Sequence, residues 1–189
     1  MDERRRQLLE LGTELFATHS YDELSMAGIA REAGISKALL YHYFPSKRDY
    51  FVATLREAAA EVARRTEPDP SLPPLEALAA SLDAFLGWIE DNSLAYRKLM
   101  EGAATVPEVR ALVDDVRDRT SARILEGIGA APACAPEGKP PPAVRAAVRG
   151  WLWFMDGAVL DWLEHGDLDR RELRDLLLGV LDGSLTAAG

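Results

Sequence analysis

The chain lacks most of what a catalytic or cross-linked protein needs. Of its 189 residues one is cysteine and three are histidine, which excludes an internal disulfide framework and leaves no ligand spacing for a structural zinc site. No run approaches 18 uninterrupted apolar residues, and the opening Met-Asp-Glu-Arg-Arg-Arg is not followed by the apolar core of a signal peptide; the expectation is a cytoplasmic protein with no membrane partner. A glycine-rich phosphate loop is missing, and so is a nucleophile with a base beside it, since His19 lies near a turn and His165 at a helix end. Neither an enzyme nor a cofactor is expected. No segment of strand length alternates apolar and polar residues, so the expected fold class is all-α, with about nine helices.

A surplus of positive charge is missing too, because the formal net charge is -9. Its distribution matters more than its sum. Residues 1–48 hold seven Lys/Arg against seven Asp/Glu, and the other 141 residues carry the whole deficit. With a Debye length of about 8 Å at physiological salt, a nucleic acid near the N-terminal part feels the local cations more than a distant acidic body.

Against these absences stands Leu24 to Arg48, which reads as two short helices hinged on Gly34. Met26, Ile29, Ala30 and Ala33 form one apolar stripe at i, i+3, i+4 and i+7, and Gly34 supplies the positive φ of a tight helix exit. Ser36 caps the second helix, with Ile35 and Leu40 spaced as a hydrophobic staple; Ser25, Leu24 and Ile29 repeat the arrangement on the first. Two capped helices around a glycine turn make a helix-turn-helix. Leu39, Leu40 and Phe44 are expected in its small core, leaving Lys37, Ala38, Tyr41, His42 and Tyr43 on the exposed side. Such a face suits DNA, although spacing alone fits an ordinary surface helix equally well.

The run Ser36, Leu40, Tyr41, Tyr43, Phe44, Lys47 resembles the recognition-helix signature of the TetR family of transcriptional regulators, and Ile29 to Ser36 and Phe16-Ala17 fit the same family. The likeness in motif covers about residues 4–60; beyond that it is one of length and helical pattern. Tyr43 stands where many members carry histidine, and His42 occupies a variable position. On this resemblance the DNA-binding set is Ser25, Ser36, Lys37, Ala38, Tyr41, His42, Tyr43 and Lys47. Lys37, Ala38 and His42 are expected to read bases, and Ser36, Tyr41, Tyr43 and Lys47 to hold phosphates of a double-stranded operator. The resemblance also implies a homodimer through the last two helices and an unidentified small-molecule effector in the body. The expected organisation is a DNA-binding domain over 1–48 and a ligand-binding and dimerisation domain over 49–189, joined through the helix that starts at Lys47.

The remaining pattern is helical. A first helix over 4–19 carries Leu8, Leu11, Leu15 and Phe16 on its buried side; Arg4, Arg5 and Arg6 at its start either fray in solvent or reach phosphate. A helix from Lys47 to about Arg65 has Phe51, Leu55, Ala58 and Val62 as its apolar line. Helices follow from Leu75 to Glu90 and from Leu94 to Gly102, and Thr105 with Glu108 reads as a capping box for a seventh. Ala130 to Pro142, with five prolines, reads as a connector containing Cys134, either an incidental thiol or a redox site. Ala143 to His165 is apolar nearly all round, which one small body hardly buries alone. Asp169 and Glu172 cap the last helix.

Pairing these two helices with a two-fold copy gives a four-helix bundle, with Gly150, Gly157, Trp162, Leu173, Leu177, Val180 and Leu181 as the expected interface. The two glycines either permit close helix approach or are merely tolerated. Two recognition heads would then stand roughly 34 to 36 Å apart on a pseudo-palindrome. Phe85, Trp88, Tyr96, Met100, Val116, Trp151, Phe154 and Met155 fit either plain core or the lining of an effector cavity. Asp83, Glu101, Asp156 and Asp161 fit a cationic ligand, solvent or salt bridges across the dimer. The expected function is a ligand-responsive repressor; the alternative is a helical binding module or an enzyme without operator binding.

Overall fold

The computed structural model of the chain describes residues 3–129 and 140–188; Cys134 and most of the proline-rich run around it lie outside them. The described residues form nine helices and no strand: α1 (Glu3–Thr18), α2 (Met26–Glu32), α3 (Lys37–Tyr43), α4 (Lys47–Arg65), α5 (Pro74–Asp91), α6 (Ser93–Thr105), α7 (Pro107–Gly127), α8 (Pro142–His165) and α9 (Arg170–Ala188). None of them is long and apolar enough to cross a membrane. Two compact units result, one comprising the chain up to Ala63 with Asn92–Leu112, the other Arg64–Asp91 with the described residues from Val113 onward. Residues 92–112 therefore belong with the N-terminal helices, whereas the sequence reading set the boundary at residue 48.

In the first unit the core is Leu8, Leu9, Phe16, Met26, Ile29, Ala30, Leu40, Phe44 and Tyr50. The buried line of α1 runs through Leu8, Leu9, Gly12 and Phe16, leaving Leu11 and Leu15 only half-buried. Gly12 is the physical reason for this correction. A Cβ there would lie 2.7 Å from the Tyr50 hydroxyl and 2.9 Å from its ring, so the bare backbone is what lets α4 come close. Tyr50 uses that approach to donate to the Leu8 carbonyl at 2.6 Å. Burial pushes the Tyr50 phenol above its ordinary value, so it stays protonated and keeps donating. Thr54 donates to the Tyr50 carbonyl one turn on, at 2.9 Å. The buried residues of α4 are Tyr50, Val52 and Thr54, while Phe51, Leu55, Ala58 and Val62 are half-buried. Tyr50 also meets Phe44 edge-on at 4.9 Å and Phe16 at 5.9 Å. In the same unit α6 packs on α1. Thr105 is not a cap: it is the last residue of α6, its hydroxyl turned back to the Glu101 and Gly102 carbonyls.

In the second unit α9 packs on both α8 and α5. Trp151 donates to the Leu177 carbonyl at 2.7 Å and Trp162 to the Leu168 carbonyl at 2.8 Å, a pairing that requires α8 and α9 to run antiparallel. Gly166 ends α8 at φ 62°, and Asp169 and Glu172 exchange backbone-to-carboxylate bonds of 2.8 Å at the start of α9, both as expected. Trp162, Leu173, Leu177 and Leu181 are buried within the protomer. These four of the residues expected at a dimer interface therefore present little surface outside the single protomer.

Gly12→Ala gains helix propensity worth about 1 kcal/mol but drives a methyl into a ring wedged between Phe16 and Phe44. A net loss of about 1 to 3 kcal/mol is expected, read as a lower urea midpoint with an unchanged slope.

Candidate nucleic-acid interface

The turn between α2 and α3 is built from backbone bonds. Gly34, at φ 63°, donates to the Arg31 carbonyl at 3.1 Å and Ile35 to the Ala30 carbonyl at 2.9 Å, the paired closure that a left-handed residue after a helix allows. The Ser25 hydroxyl oxygen accepts from the Gly28 amide and that of Ser36 from the Leu39 amide, each at 3.1 Å. Both serines thus satisfy helix starts and keep a hydroxyl proton to donate elsewhere. Ile35 and Leu24 pack against the core that holds Leu40 and Ile29, as the two staples require.

This frame leaves most of α3 in solvent. Only Leu40 within it is buried, with Phe44 just beyond its end. Leu39, expected in the core, is 38% exposed, because a seven-residue helix has room for one inward stripe and Leu40 and Phe44 occupy it. Lys37, Ala38, Tyr41 and His42 are exposed and Tyr43 is half-buried, with His42 and Tyr43 edge to face at 5.5 Å. The Lys37 ammonium lies 5.7 Å from the centre of the Tyr41 ring.

Lys47 has a different setting. Its ammonium donates to the Leu24 carbonyl at 2.9 Å and lies over the Tyr21 ring at 4.1 Å. It ties the start of α4 to the segment that leads into α2. At the other end of the unit the arginines are ordered: Arg4 donates to the Ala33 carbonyl at 3.4 Å, and the Arg5 guanidinium lies 5.2 Å from the centre of the Phe44 ring. Both contacts tie the start of α1 to the helix-turn-helix. The sequence reading missed Tyr21 and Phe44 as platforms for cations; an aromatic within reach of a cation in space leaves no mark in linear spacing. It also missed the ion pair of Arg48, in the first turn of α4, with Glu108, in the first turn of α7.

The residues expected around an effector are divided. Tyr96 and Met100 belong to the first unit; Phe85, Trp88, Val116, Trp151, Phe154 and Met155 belong to the second. Val116 and Phe154 are 37% and 40% exposed. Tyr96 and Trp151 are buried, and the remaining four are half-buried. An open concavity of about 310 Å³ in the second unit is lined instead by Leu75, Leu78, Leu178, Gly179, Leu181, Asp182 and Leu185. Of the four carboxylates, Asp83 faces Arg170 and Arg174, Asp156 is held by Arg117 at 2.7 Å, and Asp161 lies 3.5 Å from His165. Glu101 is exposed.

Residues 8–54 match the family described as bacterial regulatory proteins, tetR family, and residues 74–181 match a tetracyclin repressor-like C-terminal domain. The chain is 36% identical over 119 residues to the HTH-type transcriptional activator FasR of Mycolicibacterium smegmatis, an alignment covering 59% of this chain and 52% of that protein. It is 30% identical over 138 residues to the HTH-type transcriptional regulator HbdR of an Aromatoleum species, covering 69% and 58%. It thus spans between half and three-fifths of the length of these relatives. A tetR-family regulator from Streptomyces coelicolor superposes with a TM-score of 0.86 at 29% identity, covering 100% of this chain and 82% of the other. With a capped, glycine-turned helix pair presenting α3 to solvent, and with both halves matched, the chain belongs to the TetR family of helix-turn-helix DNA-binding transcriptional regulators, which are not enzymes.

Proposed function

We propose that the chain acts as a homodimeric, effector-responsive repressor that binds a pseudo-palindromic operator and leaves it when a small molecule binds the helical body. The observation that carries the DNA reading is the exposed face of α3 on its rigid frame. Lys37, Ala38 and His42 offer a cation, a methyl and an imidazole to base edges. Ser25, Ser36, Tyr41 and Tyr43 offer hydroxyl donors to phosphate oxygens. Lys47 has spare ammonium hydrogens for phosphate while one holds Leu24.

A dimer is supported by the outer faces of α8 and α9, on the opposite side from the residues that join them. Trp153 is 61%, Phe154 40% and Leu176 46% exposed. Between them Gly150, Gly157, Gly179 and Gly183 have no atom within 4 Å of where a Cβ would stand, and half-buried Val180 lies alongside. Bulky side chains and hollows on one surface are what a two-fold, self-complementary contact uses. Arg117 braces this face: its guanidinium lies 4.1 Å from the Trp153 ring centre while Asp156 and Asp114 hold it at 2.7 and 3.1 Å.

For the effector, an apolar compound fits best. The body's interior is leucine, isoleucine, valine and tryptophan, its described concavity is leucine-lined, and a relative from Bacillus subtilis, 20% identical over 187 residues, is named a fatty acid metabolism regulator protein. Acyl compounds are the first to screen for release from DNA.

Selection of duplexes from a random library tests the reading. A palindrome with half-sites about one helical turn apart is expected; a folded dimer that enriches nothing at low salt removes the operator-binding proposal. On the selected site, Lys37→Ala should relax preference at one position at a cost of about 1 to 3 kcal/mol. Lys47→Ala should weaken all sequences alike, flatten the salt dependence by about one charge, and also lower the melting temperature, because it removes the tie to Leu24. Phe154→Asp should give a folded monomer by sedimentation; an unchanged dimer would place the interface elsewhere.

A further inference from the structure

Arg48 and Glu108 lie 60 residues apart in sequence yet pair in the first unit. Each occupies the first turn of its helix, Arg48 in α4 and Glu108 in α7. The two side chains are about half exposed, so water and other anions have access to both. Only Pro45 and Ser46 separate Phe44, at the end of α3, from α4, so Arg48 stands on the turn that follows the reading helix. Its guanidinium is a fork that suits phosphate as well as carboxylate. The Glu108 carboxylate is held below the ordinary carboxylate range by its own backbone amide and by Arg48; it is charged at neutral pH. At the start of the same helix the Ser46 hydroxyl donates to Asp49 at 2.6 Å.

We propose that Arg48 is a phosphate-contacting residue of the DNA complex, and that Glu108 occupies its guanidinium in the DNA-free protein as an internal competitor for the same site. This rests on the DNA-binding reading above. A diester phosphate and a carboxylate carry the same single charge, so the exchange is close to balanced at the pair itself and is driven by the other phosphates of the duplex. The exchange is also reciprocal. Duplex that takes Arg48 releases the first turn of α7, and whatever strengthens the hold of Glu108 on Arg48 weakens DNA binding by the same factor. Since α7 continues as one helix from Pro107 to Gly127 and carries Arg117, a compound that displaces α7 has in Glu108 a direct handle on the DNA affinity of the first turn of α4.

The test is a double-mutant cycle on the full-length protein, with affinity for one 30-base-pair duplex measured over a series of salt concentrations. An exposed pair is worth up to about 1 kcal/mol, which is up to about fivefold in affinity. Glu108→Gln should therefore tighten binding up to about fivefold with an unchanged salt slope. Arg48→Ala should weaken binding and reduce the slope by about 0.9. In the Arg48→Ala background, Glu108→Gln should have no effect. Tightening by Glu108→Gln that persists without Arg48 would mean simple removal of a negative charge, and would overturn the proposal. So would weakening by both single variants in step with lower melting temperatures, the sign of a purely structural pair. Hydrogen exchange gives a second readout: amides of residues 108–112 should exchange faster when duplex is bound, and no change there refutes the exchange of partners. Wild-type protein that binds no duplex at low salt would overturn the DNA-binding reading and this proposal together, whereas wild-type binding that Glu108→Gln leaves untouched overturns this proposal alone.

Discussion

The hydrogen bond from Tyr50 to the Leu8 carbonyl, made possible by the bare backbone at Gly12, is the contact on which the reading head depends. A seven-residue helix does not hold its shape in water unaided, and α3 has a single buried residue of its own. Its direction is fixed by Leu40 and by Phe44, and Phe44 rests on the ring of Tyr50. Any shift of α4 along α1 must break a buried donor-acceptor pair, which costs more than the bond is worth when made. The orientation of α3 is therefore set by packing on the side away from solvent, and its outer residues are free to vary for recognition.

How much of this was legible in the sequence follows from the range of the interactions. Caps, staples and the left-handed turn act over three to six residues, so Ser25, Gly34, Ser36 and the Asp169–Glu172 box could be read from spacing and stand as expected. The buried side of α1 depends on a partner 42 residues away; helical periodicity offers Leu11 and Leu15 as readily as Leu9 and Gly12, and only the presence of Tyr50 chooses. Thr105 misled for a related reason. Its hydroxyl had two helices to serve, and it bonds backward into α6.

The same limit explains the last two helices. Where a helix is apolar on several faces, its pattern says that two partners exist without saying which face meets which. Trp151 and Trp162 are equal candidates for an internal or an external role by pattern; their indole nitrogens donate to the Leu177 carbonyl of α9 and to the Leu168 carbonyl of the turn between α8 and α9. Trp153, two residues from Trp151, points away into solvent. The effector residues proved hardest to read, since large side chains at helical spacing mark the interior of any helical body, and Tyr96 and Met100 fall in a different unit from the other six.

Three cations of the reading unit already rest on aromatic rings: Lys37 on Tyr41, Lys47 on Tyr21 and Arg5 on Phe44. A long basic side chain that wanders in solvent surrenders about 0.5 to 1.5 kcal/mol of rotational freedom when an interface immobilises it. Here part of that ordering has taken place in the free protein. Association with a polyanion then depends less on freezing the protein's own side chains and more on the release of counterions from the duplex. Such a surface behaves as a preset template rather than a flexible brush, and its discrimination between sequences comes from fit rather than from adaptation.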